Sequence, residues 1–256
     1  MIYTAKYFKD NLPEWKRQKD PILSRIFYRP LSFYGAAFCA NRRISANTVS
    51  YFSAVIAIFA AFLFLIDSYE VNILAAILVN VWLFLDCVDG NLARSVKKQP
   101  FGDFADSISS YILVTVMCTT MSAVAYRNGG CFIDQGCIWI VIIGAIASSS
   151  DTLMRLIYQK YKASARELVD KGVIKPEEDK RTDNTQVNSL RVRIESDLGV
   201  GGILPALVLI GTIFSFLDVI VLYCFFYYCG ACVVTSVLQI RKAMRHTREW
   251  ELNNSK

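Results

Sequence analysis

Histidine is almost missing from this chain. The single copy, His246, lies in a basic tail, and no set of cysteines with it has zinc-ligand spacing, so a zinc centre of the usual kind is excluded. Strict alternation of apolar and polar residues is missing as well, so no stretch reads as a strand of a membrane barrel. The first 47 residues are polar and aromatic and lack the apolar core of a cleavable signal peptide. No internal repeat is visible.

What the chain has in quantity is apolar residues in blocks. Hydrophobic residues are 54% of the 256, and the mean hydropathy is +0.35. A bilayer core needs roughly 20 mostly apolar residues per helix. Six blocks approach that length: 48–66, 71–88, 107–126, 137–158, 199–217 and 219–240. They predict an all-α integral membrane fold of six transmembrane helices over residues 48–240. A cytoplasmic or interfacial segment, 1–47, precedes them and a basic cytoplasmic tail, 241–256, follows.

Positive charge sets the orientation. With the N-terminus inside, the inner segments 1–47, 89–106, 155–198 and 241–256 hold 27 of the 28 Lys and Arg residues. Only Arg127 is left for the outer loops. This predicts an N-in, C-in topology with a basic cytoplasmic face. A net charge of +6 then suits anionic lipid headgroups or phosphorylated substrates and requires no nucleic acid.

Residues 1–47 mix Lys and Arg with Trp15, Phe27, Tyr28, Phe33 and Tyr34, which suits an amphipathic segment lying in the headgroup layer. Ser45 and Asn47 are both candidate N-caps for the first membrane helix. Six cysteines, Cys39, Cys87, Cys118, Cys224, Cys229 and Cys232, fall in or near apolar helices as small packing residues. Cys131 and Cys137 bracket an outer loop, where a disulfide and two free thiols stand equally open.

The chemistry concentrates in "DCVDGNLARSVKKQPFGDFADSISS", Asp86 to Ser110, at the mouth of the second membrane helix. Asp86, Asp89, Gly90 and Ala93 are spaced i, i+3, i+4 and i+7, on one helical face. Gly102, Asp106 and Ser110 follow at i, i+4 and i+8 on the next helix. The connection between them, 95–101, is short and contains Pro100, so the two faces can meet. Carboxylates at a membrane mouth are expensive and mark function by default. Asp86, Asp89 and Asp106 together would repel one another unless they held a hard divalent cation such as Mg²⁺, which prefers a few carboxylates plus phosphate oxygens. Arg94, Lys97 and Lys98 add positive charge nearby. The residues thus point to metal-assisted transfer of a phosphoryl-linked group. Helix-end carboxylates that are merely solvated are the plainer alternative, and matching features on two faces argue against it. A small transporter with a cation site is disfavoured because the carboxylates sit at the mouth, away from the midplane.

"DCVDGNLAR" followed by Gly102 and Asp106 resembles the signature of the CDP-alcohol phosphotransferase (phosphatidyltransferase) family, D-x-x-D-G-x-x-A-R and then G-x-x-x-D-x-x-x-D. "RPLSFYGAAFCANRRISANTVS" resembles the family's segment before its first membrane helix. The resemblance implies that an acceptor hydroxyl attacks the β-phosphorus of a CDP-alcohol, either CDP-diacylglycerol or a soluble CDP-alcohol, and that CMP leaves. It implies that Asp86, Asp89 and Asp106 hold Mg²⁺ or Mn²⁺. Gly90, Ala93, Arg94 and Gly102 would accommodate the nucleotide. It further implies a homodimer, and phospholipid or related biosynthesis at the cytoplasmic leaflet.

Two departures stand out. Seven residues separate Arg94 from Gly102, one fewer than the family spacer, and Ser110 stands where the family has a fourth aspartate. A serine hydroxyl is a poor base without an activator. Three ways remain open. Another carboxylate, with Asp151 the best placed, supplies the base; the acceptor arrives ionised; or the chain binds nucleotide with little or no turnover. The candidate catalytic residues are therefore Asp106, Ser110 and Asp151. Asp151 is equally read as a structural partner of Arg155 at i+4. Arg191 and Arg193 are candidates for the acceptor's anionic group, or else simply part of the inner positive charge.

Overall fold

The computed structural model describes residues 2–174 and 197–254. Arg191 and Arg193 lie outside the described residues. Among these residues every regular element is helical.

The N-terminal segment folds as three short helices packed on the membrane domain. Thr4 caps α1 (Ala5–Asp10), accepting from the Tyr7 N–H at 3.3 Å. Helix α2 (Glu14–Lys19) starts after Pro13. A single π-helical stretch, Ser24–Tyr28, then runs into α3 (Arg29–Asn41). The segment is two-faced, as the interfacial reading requires. Phe8, Leu12, Phe33, Ala36 and Ala37 are buried against Val88 and Leu92, while Ile22, Ile26, Phe27, Leu31, Tyr34 and Phe38 stay exposed. The Tyr7 hydroxyl donates to the Ser95 carbonyl at 2.8 Å, tying α1 to a helix end that would otherwise have no partner.

Helices α4 (Ala46–Phe64), α5 (Tyr69–Ser95), α6 (Gly102–Asn128), α7 (Ile138–Asp170) and α9 (Leu217–Asn254) are long and apolar enough to cross a membrane. Of the two candidate caps of α4 it is Ser45 that accepts, from Thr48 N–H at 3.2 Å. The expected block at 199–217 takes a different form. It yields α8 (Leu204–Ile213), whose 10 residues span about 15 Å, half of a bilayer core. Gly199, Gly201 and Gly202 favour turns ahead of it, Pro205 sits in its first turn where its missing N–H costs nothing, and Ser215 at φ 57° ends it. Asn80, in the middle of α5, bridges to this short helix. Its amide donates to the Pro205 carbonyl at 2.8 Å, and its carbonyl oxygen accepts from the Tyr28 hydroxyl.

Small residues set the packing. Ala57, Ala60, Ala75 and Ala76 are fully buried within the core that α4 and α5 share. At Gly144 of α7 a Cβ would lie 2.5 Å from Ser122 Oγ and 2.7 Å from the Cys118 carbonyl of α6, so only glycine allows that approach. Large apolar side chains such as Phe52, Val55, Phe59 and Phe62 face outward, as lipid contact demands. At the end away from Asp86, Arg127 donates to the Phe64, Leu65 and Ile66 carbonyls and closes the C-terminus of α4. Cys131 and Cys137 stand there as free thiols.

Candidate active site

The cluster is assembled from two helix ends. Asp86 and Asp89 lie in the last turns of α5, and Asp106 in the second turn of α6. One carboxylate oxygen from each lies within 4.8 Å of the others. Asp89 is buried, Asp86 half-buried and Asp106 exposed, so the group opens from the protein interior toward solvent. The connection that makes this possible is short and pinned. Phe101 takes a left-handed conformation (φ 58°), and α4 holds the loop from the side. The Asn47 backbone N–H donates to Gln99 Oε1 at 3.2 Å and its side-chain amide to the Pro100 carbonyl at 2.9 Å.

Helix α4 also reaches the cluster. The Ser50 hydroxyl donates to Asp89 Oδ2 at 2.6 Å and fixes the buried carboxylate. Beneath it, Ser53 and Ser109 share a hydrogen bond of 2.6 Å, and Trp82 Nε1 donates to Ser109 at 2.8 Å. None of the three aspartates forms an ion pair among the described residues. Three converging carboxylates without a protein cation fit a hard divalent ion, and an oxygen-only donor set suits Mg²⁺ or Mn²⁺.

A cavity of about 490 Å³ opens above the cluster. Its walls include Gly90, Ala93, Arg94 and Gly102, which the sequence had singled out. At Gly90 the clearance is already used. A Cβ there would lie 2.8 Å from Arg94 Nη2, so the glycine makes room for the guanidinium as much as for a ligand. At Gly102 an added Cβ would meet only Asn47 Oδ1, at 3.5 Å, an ordinary contact.

The walls also contain residues that sequence reasoning missed. Lys16 and Arg29 come from the N-terminal segment, Asn47 and Ser50 from α4, and Gln99 and Asp103 from the loop and the start of α6. Arg29 is buried and paired with both oxygens of Asp20, Nε to Oδ2 at 2.7 Å and Nη2 to Oδ1 at 2.8 Å. Its Nη1 donates to the Cys87 carbonyl and to Asn91 Oδ1, both at 3.2 Å. Burial opposes charge on Asp20, but Arg29 and Lys16 outweigh it and hold the carboxyl below its usual range. Asp103 is exposed, and its carboxylate has neither hydrogen bond nor ion pair among the described residues.

Two sequence candidates lie off the cavity walls. Ser110 is half-buried and donates to the Ser107 carbonyl of its own helix at 3.0 Å. Asp151, buried in α7, is paired with Arg155 on the same helix, and its Oδ1 has no partner. Arg155 in turn lies 5.0 Å from the centre of the Tyr111 ring.

A family model described as CDP-alcohol phosphatidyltransferase matches residues 43–175, just over half of the chain, and takes in all three clustered aspartates. No curated protein matches. With an all-helical membrane fold and the aspartates gathered where the motif places them, the chain belongs to the CDP-alcohol phosphatidyltransferase family, whose members transfer phosphate-containing groups.

Proposed function

We propose that this protein transfers a phospho-alcohol group from a CDP-alcohol to an acceptor hydroxyl and releases CMP, in phospholipid or related biosynthesis. The observation that carries the reading is the convergence of Asp86, Asp89 and Asp106, with no ion pair to a cation among the described residues, on the floor of a cavity walled by Arg94 and Lys98. These three aspartates would hold a divalent ion, Mg²⁺ or Mn²⁺, which supplies positive charge to the diphosphate and to the departing CMP phosphate. Arg94 and Lys98 bind phosphate oxygens from the cavity walls. Ser50 keeps Asp89 turned toward the floor.

In the transfer, the acceptor oxygen bonds to the β-phosphorus, the bond from that phosphorus to the CMP oxygen breaks, and the hydroxyl proton passes to a base. Asp103 is the wall carboxylate outside the three-aspartate cluster, and we assign it that proton. Ser110 and Asp151, off the walls, are left without a direct part in the chemistry. The cavity opens at the end of the bundle that carries Arg94, Lys97 and Lys98, opposite Arg127, which supports a cytoplasmic site.

Purified protein given radiolabelled CDP-alcohols, with a panel of hydroxyl acceptors and Mg²⁺, is expected to release CMP. A second reading, CDP binding without turnover, is favoured by Ser110 at the fourth acidic position. Bound CDP with no CMP released for any acceptor would establish it and remove the first.

A further inference from the structure

The family match begins at residue 43, yet two cations of the cavity wall, Lys16 and Arg29, precede it. They play different parts. Arg29 is fully committed, with Asp20 on one side and α5 on the other, at the Cys87 carbonyl and at Asn91. It works as an anchor that fastens the N-terminal segment beside Asp86 and Asp89.

Lys16 is different. Its only ion-pair partner among the described residues is Asp20, at 3.1 Å, and its side chain keeps 26% of its exposure. An ammonium has three donors and no fixed fork, so one contact to Asp20 leaves donors free for a second anion. Asp20 itself is immobilised. It is 3% exposed, Arg29 grips both of its oxygens, and Arg25 Nη2 donates to its backbone carbonyl at 3.1 Å. The adjoining chain is tied down too, with Ile22 N–H donating to Asp197 Oδ1 at 2.7 Å and Ser24 Oγ to the Gly201 carbonyl at 2.6 Å. Lys16 lines the same cavity as Asp86 and Asp106. A rigid carboxylate thus holds a flexible cation at the rim of the carboxylate floor.

We propose that Lys16, positioned by Asp20, is an anion-binding residue of this site, bringing to a substrate phosphate group a cation from outside the family motif. Asp20 is a positioning residue, since it holds Arg29 as well as Lys16 and reaches the anion only through Lys16. The inference rests on the reading of the cavity as a CDP-alcohol site. Two sources present the same chemistry: the diphosphate of the donor, and a phosphate on the acceptor.

Isothermal titration on the purified full chain with Mg²⁺ separates them. One arm titrates CDP. The other titrates inorganic phosphate into protein saturated with CDP. Lys16→Gln is expected to weaken one of the two by roughly tenfold, the scale of a charge-assisted hydrogen bond. Loss in the CDP arm assigns Lys16 to the donor, and loss confined to the phosphate arm assigns it to the acceptor. Lys16→Arg is expected to recover most of the loss, and Lys9→Gln, exposed on α1 away from the cavity, to change neither arm. In a double-mutant cycle, the part of the Asp20→Asn loss that runs through Lys16 should vanish in the Lys16→Gln background, whereas a role confined to holding Arg29 would add its full cost in both backgrounds. Unchanged binding of both ligands by Lys16→Gln overturns the proposal, and it does so whether or not Asp20→Asn folds. Wild-type protein that takes no CDP sinks the CDP-alcohol reading instead, and the phosphate arm, run without CDP, still decides Lys16.

Discussion

Two groups of carboxylates are held within the helix bundle, and they solve the problem of their charge differently. Asp151 carries its countercharge with it, because Arg155 is one turn along the same helix. Asp86, Asp89 and Asp106 come from two helices and form no ion pair among the described residues. A carboxylate with its own arginine has its countercharge as soon as the chain folds. Three converging carboxylates without one are incomplete until something positive arrives, and gathering them costs free energy that only a ligand recovers. On the proposed function, the contrast sets a structural pair beside a binding site.

The comparison breaks most decisively at Asp89. Asp89→Asn removes the buried member of the open cluster. It should lower metal-dependent turnover of a CDP-alcohol on the order of a hundredfold or more while the helical circular dichroism is retained. Full activity in that variant would mean that the cluster holds no functional ion. Ser50→Ala leaves all three carboxylates but frees Asp89 Oδ2 from its 2.6 Å hydrogen bond. The Mg²⁺ concentration for half-maximal activity is then expected to rise by roughly tenfold.

Asp151→Asn tests the other half. If the pair is structural, turnover changes by less than about threefold, some 0.7 kcal/mol on the barrier, and the melting temperature falls by several degrees. A loss rivalling that of Asp89→Asn would place Asp151 in the chemistry after all. The smallest effect is expected at Ser110. Its side chain is turned to the Ser107 carbonyl, so Ser110→Asp should move turnover by less than about twofold. A tenfold gain would show that the proton acceptor belongs at the fourth acidic position and not at Asp103.

The cluster was legible in the sequence because both of its faces obey helical spacing and the loop between them is short. Those are local properties, and a chain read in order displays them. Ser50 was not legible. A serine in an apolar helix is common, and its reach to Asp89 depends on how α4 lies against α5, across 39 positions of chain. Lys16 and Arg29 were hidden for a related reason. In a basic, aromatic segment every cation looks like a headgroup contact, and only the buried Asp20 distinguishes these two. The turn-forming glycines before α8 and Pro205 in its first turn were visible, but a signal for close packing or a kink reads the same as one for a shortened helix. That ambiguity is resolved by the left-handed Ser215 and by the partners of Asn80, both tertiary features.

Asn80 carries a consequence for biosynthesis. Its side chain is satisfied from two directions, by Tyr28, made before it, and by the Pro205 carbonyl, made 125 residues later. During synthesis the middle of α5 therefore enters lipid with its amide still missing a long-range acceptor, and α8 is too short to span on its own. Each stays provisional until the other is in place. The last third of the chain thus acts as a latch on a helix translated much earlier, and a nascent chain halted before Pro205 would leave α5, with two of the aspartates, inserted but not yet locked.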